Sequence, residues 1–350
     1  MANEIFVIGL ILFFTILLAW GFRTLPGENW QILAAIPKGK KQGNTWEGLN
    51  FTYYGFFIAG AYTLGTIIMF VLLGAVHIPV SAIIVISILM AFVCLPASKV
   101  VAAVVEKKPH TSTVGGASFV GILSAPWIVW ITNRILGPWV GFEAPVMIVL
   151  AVLSIAYAFG EGTGRLACIS FGCCYGKPLS QCHPFWRGLF KKFYFVFSGK
   201  TKKIAYADGL DGVPVVPIQA ITSVLFIIVA LSGTYLFLQG RPVPAFLVTL
   251  MVTQLWRLAS EFLRADYRGG RRISAYQWMS VLAMAYSLLI SVCFGASGRG
   301  QADIVSGLVS LWNPVIIIFF QVLWLALFFY AGRSMVTGSR ISVYVVEDRI

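Results

Sequence analysis

Long apolar runs, separated by short polar segments, account for most of this chain. Nine runs are each about 20 residues long, the length that a helix needs to cross the hydrocarbon core of a bilayer. Lipid cannot satisfy the hydrogen bonds of an irregular backbone, so each run is predicted to be a helix. They lie at about 4–22, 51–77, 80–104, 114–136, 143–159, 217–238, 243–262, 275–294 and 311–331. The pattern predicts an all-α polytopic membrane protein.

Composition and charge support this class. Of the 350 residues 59% are hydrophobic and 11% are charged, where a soluble domain has about a quarter charged. The net charge is +13, and alternating loops place 21 of the 26 lysines and arginines on one side: 23–50, 105–113, 160–216, 263–274 and the tail from 332. The positive-inside tendency predicts that this side is cytoplasmic. Alternatively, a face that handles anionic phospholipid collects arginines. Either explanation involves lipid, so nucleic acid is not predicted as a partner.

The only long segment outside the apolar runs is 160–216. It contains "GRLACISFGCCYGKP" at 164–178, in which Gly172 and Gly176 either let the backbone approach a lipid headgroup or serve as ordinary turn residues. Next comes "FWRGLFKKFYFVF", which mixes aromatic and basic residues. This mixture suits a segment lying in the membrane interface, and the alternative is an extramembrane loop with a buried aromatic face.

Arginines accompany the apolar runs in the second half of the chain. Arg165 is predicted to lie in the turn after the fifth run, and Arg257 lies deep in the seventh. Glu261 follows Arg257 by one helical turn and is the expected ion-pair partner, with Arg264 on the same side. Guanidinium groups that converge on one cavity suit a phosphate, which they bind through two parallel hydrogen bonds. The alternative is an ion pair that only holds helices together.

Five short motifs follow one another in order between about residues 46 and 294. They are "TYYG" with Tyr54 and Gly55, "GGASFVGI" at 115–122, "GRLACISFGCCYG" at 164–176, Pro217 with Gln219, and the set Arg257, Glu261, Phe262 and Arg264. Together they resemble the motifs of the prolipoprotein diacylglyceryl transferase family. Members of that family have a seven-helix core and move diacylglycerol from phosphatidylglycerol onto the thiol of a lipoprotein-signal cysteine.

The resemblance implies a domain organisation and a set of lipid-binding residues. The core would span 46–295, with an extra transmembrane helix and basic loop over 1–45 and an extra transmembrane helix and basic tail over 296–350. The residues implied to bind substrate are Tyr54, Arg165, Cys168, Gly172, Gly176, Gln219, Arg257 and Arg264. The implied partner is an anionic phospholipid, phosphatidylglycerol, and the implied location is a bacterial cytoplasmic membrane.

The chain differs from the family pattern at the positions of the residues that transfer protons. The family histidine, thought to be the general base, aligns with Val120, and the signature Asn and Glu align with Cys168 and Cys173. Cys173 and the adjacent Cys174 are either reactive thiols, since Arg165 and the loop amides would lower a thiol pKa, or members of a disulfide set with Cys168 and Cys182, or packing residues. Metal binding with His183 is a further alternative.

The spacing C-x4-CC-x7-CH is no standard zinc motif, so no metal or other cofactor is predicted. His183, Glu161 and Glu261 remain as replacement bases, whereas His110 lies about 15 Å along a helix from the valine position.

The sequence therefore predicts a membrane-embedded transferase acting on a glycerophospholipid. Its candidate catalytic residues are Cys173, Cys174, Glu261 and His183. One alternative is a divergent member of the family with a different acceptor, for example a cytoplasmic one, or with a different lipid chemistry. The other is a non-catalytic protein that binds or moves lipid on the same scaffold.

Overall fold

A computed structural model describes residues 1–41, 43–107, 113–265, 273–295 and 302–350. Within them nine helices are long and apolar enough to cross a membrane. They are α1 (Ala2–Thr24), α2 (Tyr53–Gly74), α3 (Val80–Val105), α4 (Val114–Val140), α5 (Val146–Phe171), α8 (Ile218–Leu238), α9 (Pro242–Ser260), α10 (Ala275–Phe294) and α12 (Pro314–Ala331). The prediction of an all-α polytopic membrane protein is confirmed. His110 lies outside the described residues.

The central helix α5 is longer than its apolar run. The run ends at about 159, but the helix continues to Phe171 and stops where Gly172 adopts a left-handed conformation with φ +70°. The prediction that Arg165 lies in a turn is therefore wrong, because Arg165 is helical and buried. The extension is favourable because its two charged side chains, Glu161 and Arg165, are one turn apart and bond to each other.

Small residues bring α5 close to α2 in the middle of the bundle. A Cβ on Gly65 would stand 3.0 Å from the carbonyl oxygen of Ala156, and one on Gly160 would stand 3.5 Å from that of Ala61. Close packing of this kind is a main source of helix association in lipid, where apolar surface alone gives no driving force.

The first and last spanning helices pack tightly on this centre. The ring of Phe14 in α1 stacks on that of Phe159 at 5.2 Å between centroids. At the other end of the chain, a Cβ on Gly55 would come within 2.1 Å of the Cα of Gly332, just after α12. At Gly55 any side chain would therefore require movement of the backbone.

Strands outside the membrane join the two ends of the chain, a feature that the sequence analysis missed. Strand β1 (Ile32–Lys40) pairs antiparallel with β2 (Thr45–Thr52), and β2 pairs antiparallel with β5 (Arg333–Ser342) in the tail. Strands β1 and β5 have mostly exposed side chains, so their sequences carry only a weak hydrophobic alternation. The sheet lies directly before α2 and directly after α12.

The segment after α5 is an ordered extramembrane unit. It holds the short helices α6 (Pro184–Leu189) and α7 (Lys203–Asp208) and a two-stranded sheet of β3 (Phe195–Val196) and β4 (Pro214–Val215), and between α10 and α12 lies α11 (Ile304–Ser310). The side chains of Phe185 and Phe193 are 67% and 73% exposed. This exposure fits the interfacial interpretation of the aromatic segment better than the buried one.

A buried lysine holds this unit to two membrane helices. The Nζ of Lys202 donates hydrogen bonds to the carbonyl oxygens of Leu25 at 3.2 Å and Ser170 at 2.6 Å, which lie at the ends of α1 and α5. Its side chain has no exposed surface. Burial disfavours the charged ammonium and lowers the pKa of Lys202 from its ordinary 10.5 to about 8.

Replacing Lys202 tests this buried contact through the pH dependence of stability. Above about pH 8 the folded protein has released the Lys202 proton, while the unfolded chain keeps it up to about pH 10.5. The unfolded state therefore binds more protons in this window, and stability rises with pH by up to about 3 kcal/mol. Below pH 8 Lys202 is protonated in both the folded and the unfolded state, so its contribution to the free energy of unfolding is constant. We expect thermal denaturation in detergent to show this rise in the wild type and to lack it in Lys202→Met.

The exposed Lys200 gives the matched control, since Lys200→Met removes the same charge two residues away. It should keep the wild-type pH dependence. An equal rise in Lys202→Met and the wild type would contradict the assignment to Lys202.

Candidate functional site

One buried carboxylate links two arginines inside the bundle. The Oε1 of Glu161 accepts a hydrogen bond from Arg165 on the same helix, and its Oε2 accepts one from Arg257 on α9. Arg257 also donates through Nε to the hydroxyl of Tyr157 at 2.9 Å. The three charged side chains are 3%, 10% and 15% exposed in the order Glu161, Arg165, Arg257. Two guanidiniums and one carboxylate leave this buried cluster with a net charge of about +1.

The acid that pairs with Arg257 differs from the predicted one. The sequence predicted Glu261 from its spacing of four residues, but α9 ends at Ser260 and Glu261 begins a one-turn 3-10 helix, Glu261–Leu263. The structure pairs Arg257 with Glu161, which is remote in sequence. A usable signal was present in the Glu161 to Arg165 spacing, which marks a polar stripe on α5.

Backbone pairing brings a third arginine to the same place. Gly176 and Arg264 form an antiparallel bridge, flanked by hydrogen bonds from Lys177 N–H to the Leu263 carbonyl at 2.9 Å and from Ala265 N–H to the Tyr175 carbonyl at 3.2 Å. Arg264 is 9% exposed and lies within electrostatic range of Arg165. The loop after α5 and the segment after α9 therefore hold one cationic site between them.

The two signature glycines have clear local reasons. Gly172 ends α5 in the left-handed region, which glycine adopts at little cost. At Gly176 a Cβ would stand 2.4 Å from the carbonyl oxygen of Val216, so any side chain would displace the backbone. Both observations fit the turn-residue alternative.

Three cysteines meet close to the arginines. The sulfur atoms of Cys168, Cys173 and Cys174 all lie within 4.8 Å of one another, and all three are free thiols. The N–H of Cys173 donates to the carbonyl of Cys168 at 3.0 Å, and Nε2 of the fully buried Gln219 donates to the carbonyl of Cys173 at 2.9 Å. Cys174 adopts a left-handed backbone with φ +57°, which turns the chain back toward the helix end. The disulfide alternative is not realised in this structure.

The thiols outside the membrane helix differ in acidity. Hydrogen bonds from Cys168 and Cys173 lower the pKa of Cys174 well below its ordinary value, and the charges of Arg264 and Arg165 act in the same direction. The pKa of Cys173 is raised by its hydrogen bonds to the other two thiols and by burial. Cys174 is therefore the thiol best suited to carry negative charge.

The remaining early motifs border this site. The ring of Tyr54, in the first turn of α2, lies 5.4 Å from that of Phe171, and its hydroxyl is within electrostatic range of the three cysteines. At the start of α4, a Cβ on Gly115 would stand 3.3 Å from Nη1 of Arg257. Motifs that are far apart in sequence thus surround one group of arginines and thiols.

A family model described as prolipoprotein diacylglyceryl transferase matches residues 44–293, which is more than half of the chain. The chain belongs to the prolipoprotein diacylglyceryl transferase family. Searches among curated proteins and among solved structures returned no match. Members of this family are transferases of lipoprotein biosynthesis, and the chain is assigned to that class. The nine apolar helices among its described residues indicate an integral membrane protein.

Two candidates from the sequence lie apart from the thiols. His183 is exposed and caps α6, where its Nδ1 accepts a hydrogen bond from the Phe185 N–H at 3.4 Å. Cys182 donates to the carbonyl of Pro178 at 3.4 Å. Within the described ranges, the group of closely spaced cysteines includes neither of them.

Two buried polar atoms beside the arginines and thiols have no hydrogen-bond partner among the described residues. They are the Nε of Arg165 and the Oε1 of Gln219. An unpaired buried donor or acceptor costs about 1–3 kcal/mol, so it calls for a partner. A phosphate oxygen would match the Arg165 donor.

The Glu161 carboxylate should be the main electrostatic support of the site. In Glu161→Gln the neutral amide can accept from only one arginine through its oxygen, which leaves two buried guanidiniums without a counter-charge. We expect a loss of about 3–5 kcal/mol in unfolding free energy, the range for breaking a buried ion pair on one side. Thermal or chemical denaturation in detergent measures it.

The exposed Glu143, just before α5, provides the control. Glu143→Gln removes the same charge and should shift stability by less than about 0.5 kcal/mol. Equal stabilities for the two variants would contradict the bridging role of Glu161.

Proposed function

We propose that this protein is a membrane-embedded transferase that moves the diacylglyceryl group of phosphatidylglycerol to an acceptor thiol in a bacterial cytoplasmic membrane. The observation that carries the proposal is the shared carboxylate of Glu161. It holds Arg165 and Arg257 at fixed positions without cancelling their combined charge, and Arg264 adds a third guanidinium nearby. A fixed excess of positive charge, low in exposure, is what an anionic headgroup requires.

The proposed reaction explains why the cations are needed in the transition state. The acceptor sulfur forms a bond to the terminal glycerol carbon of diacylglycerol while the bond from that carbon to the phosphate oxygen breaks. Glycerol phosphate leaves with the electron pair, and the thiol proton goes to solvent. The leaving phosphate gains negative charge as the bond breaks, so the arginines bind the transition state more strongly than the substrate.

The acceptor half of the site is the part that differs from the family pattern. Val120 cannot accept a proton, and thiols stand where the signature has Asn and Glu. Among the proposed catalytic residues, Cys174 lies within electrostatic range of both Arg264 and Arg165. We propose that the thiols of Cys173 and Cys174 replace the missing residues in activating the acceptor nucleophile. Glu261, at the end of α9, is a second proposed base, and the exposed His183 a weaker one.

A cytoplasmic acceptor is the second candidate, and the distribution of charge favours it. The loops on the site's side of the membrane and the tail hold 21 of the 26 basic residues, the pattern of a cytoplasmic face. A prolipoprotein, in contrast, presents its cysteine on the outer face. The two candidates share the lipid chemistry and differ in the compartment of the acceptor.

Headgroup release from vesicles tests the lipid chemistry. The purified protein is reconstituted with phosphatidylglycerol labelled in its headgroup glycerol and with a cysteine-containing lipoprotein-signal peptide. We expect release of labelled glycerol phosphate, lowered 100-fold or more, about 3 kcal/mol, in Arg165→Ala and Arg257→Ala. Arg187→Ala removes an exposed arginine on α6 and should leave the rate within about twofold.

Two results would overturn the transfer proposal. One is release that is equal in Arg165→Ala and the wild type. The other is phosphatidylglycerol binding without release in the wild type, with binding unchanged in Cys173→Ala and Glu261→Gln, which is the behaviour of a non-catalytic lipid-binding protein.

Thiol labelling from one side identifies the compartment. A variant that retains only Cys182, in the loop after α5, reports the side of the membrane on which the site lies. A membrane-impermeant maleimide should label Cys182 in intact cells if the acceptor is an exported prolipoprotein. Labelling only in inverted vesicles would exclude that acceptor and support the cytoplasmic one.

A further inference from the structure

Three thiols converge in a geometry suited to a metal ion. The sulfur atoms of Cys168, Cys173 and Cys174 are mutually within 4.8 Å. Tetrahedral zinc with Zn–S bonds of about 2.3 Å separates its sulfur ligands by about 3.8 Å. The upper limit of 4.8 Å is about 1 Å longer than this separation. The sequence spacing alone does not predict such a site, because Cys168 reaches the pair only through the end of a helix.

The backbone that carries these thiols is fixed on both sides. Cys168 lies in the last turn of α5, and the chain reverses through Gly172 and Cys174, both in the left-handed region. Gln219 holds the carbonyl of Cys173, and the bridge between Gly176 and Arg264 anchors the segment that follows. Metal sites depend on such outer contacts to orient their ligands.

Positive charge near the thiols favours a metal-thiolate complex. Three thiolates and one divalent cation carry a net charge of about −1, and an acceptor thiolate in the fourth position makes it about −2. Arg165 and Arg264, within electrostatic range of Cys174, offset part of this charge. Without a cation at the sulfur atoms, three deprotonated thiols at this distance would repel one another.

The number of ligands indicates a catalytic type of site. Within the described residues the cluster has three protein ligands, and neither Cys182 nor His183 joins it. Structural zinc sites have four protein ligands, whereas catalytic sites have three and keep one position for water or substrate. Thiolates select soft or borderline ions such as zinc over magnesium or calcium.

We propose that Cys168, Cys173 and Cys174 bind a zinc ion whose fourth ligand is the thiol of the acceptor. This inference rests on the proposed transfer to a thiol. A coordinating thiol is deprotonated by the metal, so the site supplies the activation that a general base would otherwise give. The zinc ion would then activate the acceptor thiol in place of the base that Val120 cannot supply.

Transfer of the diacylglyceryl group to the zinc-bound thiol needs no oxidant or reductant. The acceptor thiol binds zinc and loses its proton to solvent. The zinc-bound sulfur then attacks the terminal glycerol carbon, a C–S bond forms, the C–O bond to phosphate breaks, and glycerol phosphate leaves with the electron pair beside the arginines. The product thioether is neutral and a weaker ligand than a thiolate, so it departs. Attack by one of the protein's own thiols would instead leave a thioether on the enzyme, whose sulfur is a poor leaving group.

Zinc content and cobalt spectra test the site without reference to activity. The full chain, purified in detergent under reducing conditions, is loaded with zinc, washed with a weak chelator and analysed for metal. We expect about one zinc per chain in the wild type and in Cys182→Ala and Cys293→Ala. Cys168→Ala, Cys173→Ala and Cys174→Ala should each lose most of it, with melting curves confirming that they are folded.

Cobalt substitution reports the open position. The cobalt-loaded protein should show sulfur-to-metal charge-transfer bands, and these should grow when the cysteine-containing signal peptide is added. A peptide with serine in place of the cysteine should cause no change. A folded wild type that retains no zinc, or a Cys168→Ala variant that retains it fully, would overturn the metal site.

Failure of the metal site and failure of the transfer reaction can be told apart. Release of glycerol phosphate by zinc-free protein at the full rate would overturn the proposed role of the metal and keep the transfer. Stoichiometric zinc and a spectral response to the peptide, without any release, would keep the metal site and overturn the transfer.

Discussion

The structure depends most on a single carboxylate shared by two guanidiniums. Glu161 lies well inside the bundle, where an unpaired charge costs at least about 2.5–3.5 kcal/mol. Pairing with Arg165 along α5 lets that helix continue past its apolar run, and pairing with Arg257 fixes α9 against it. The same two bonds therefore determine helix length, helix packing and the position of the charges that we propose bind the headgroup.

This arrangement leaves the site with a net positive charge although both oxygens of the Glu161 carboxylate are hydrogen-bonded. The carboxylate uses both of its oxygens on the arginines, and Tyr157 takes a further donor of Arg257. The buried Nε of Arg165, which has no partner among the described residues, remains for a substrate. A site built in this way holds its positive charges in place before the lipid arrives, which reduces the reorganisation required during the reaction.

The sequence was sufficient for the helices and insufficient for their side-chain partners. Runs of about 20 apolar residues have one stable form in lipid, so nine helices could be predicted with nearly correct bounds. The end of α5 was misplaced because the ion pair of Glu161 and Arg165 lowers the local hydropathy, which then resembles that of a loop. The partner of Arg257 was wrong because contacts between helices are not encoded in local spacing. The cluster of Cys168, Cys173 and Cys174 required the left-handed turn at the helix end, which spacing alone does not show.

The sheet that joins the two ends of the chain also sets an order of assembly. Strand β2 runs directly into α2, which carries Tyr54, and its outer partner β5 follows α12, so it is synthesised after all the helices α1 to α12. During translation one edge of β2 therefore stays without its partner until α12 has left the ribosome. The Thr52 N–H bonds to the Gly332 carbonyl at 2.9 Å and cannot be satisfied in this way before that point. Closure of the sheet beside the site thus waits for α12, and a product truncated before β5 would keep the earlier helices and lack these strand pairs.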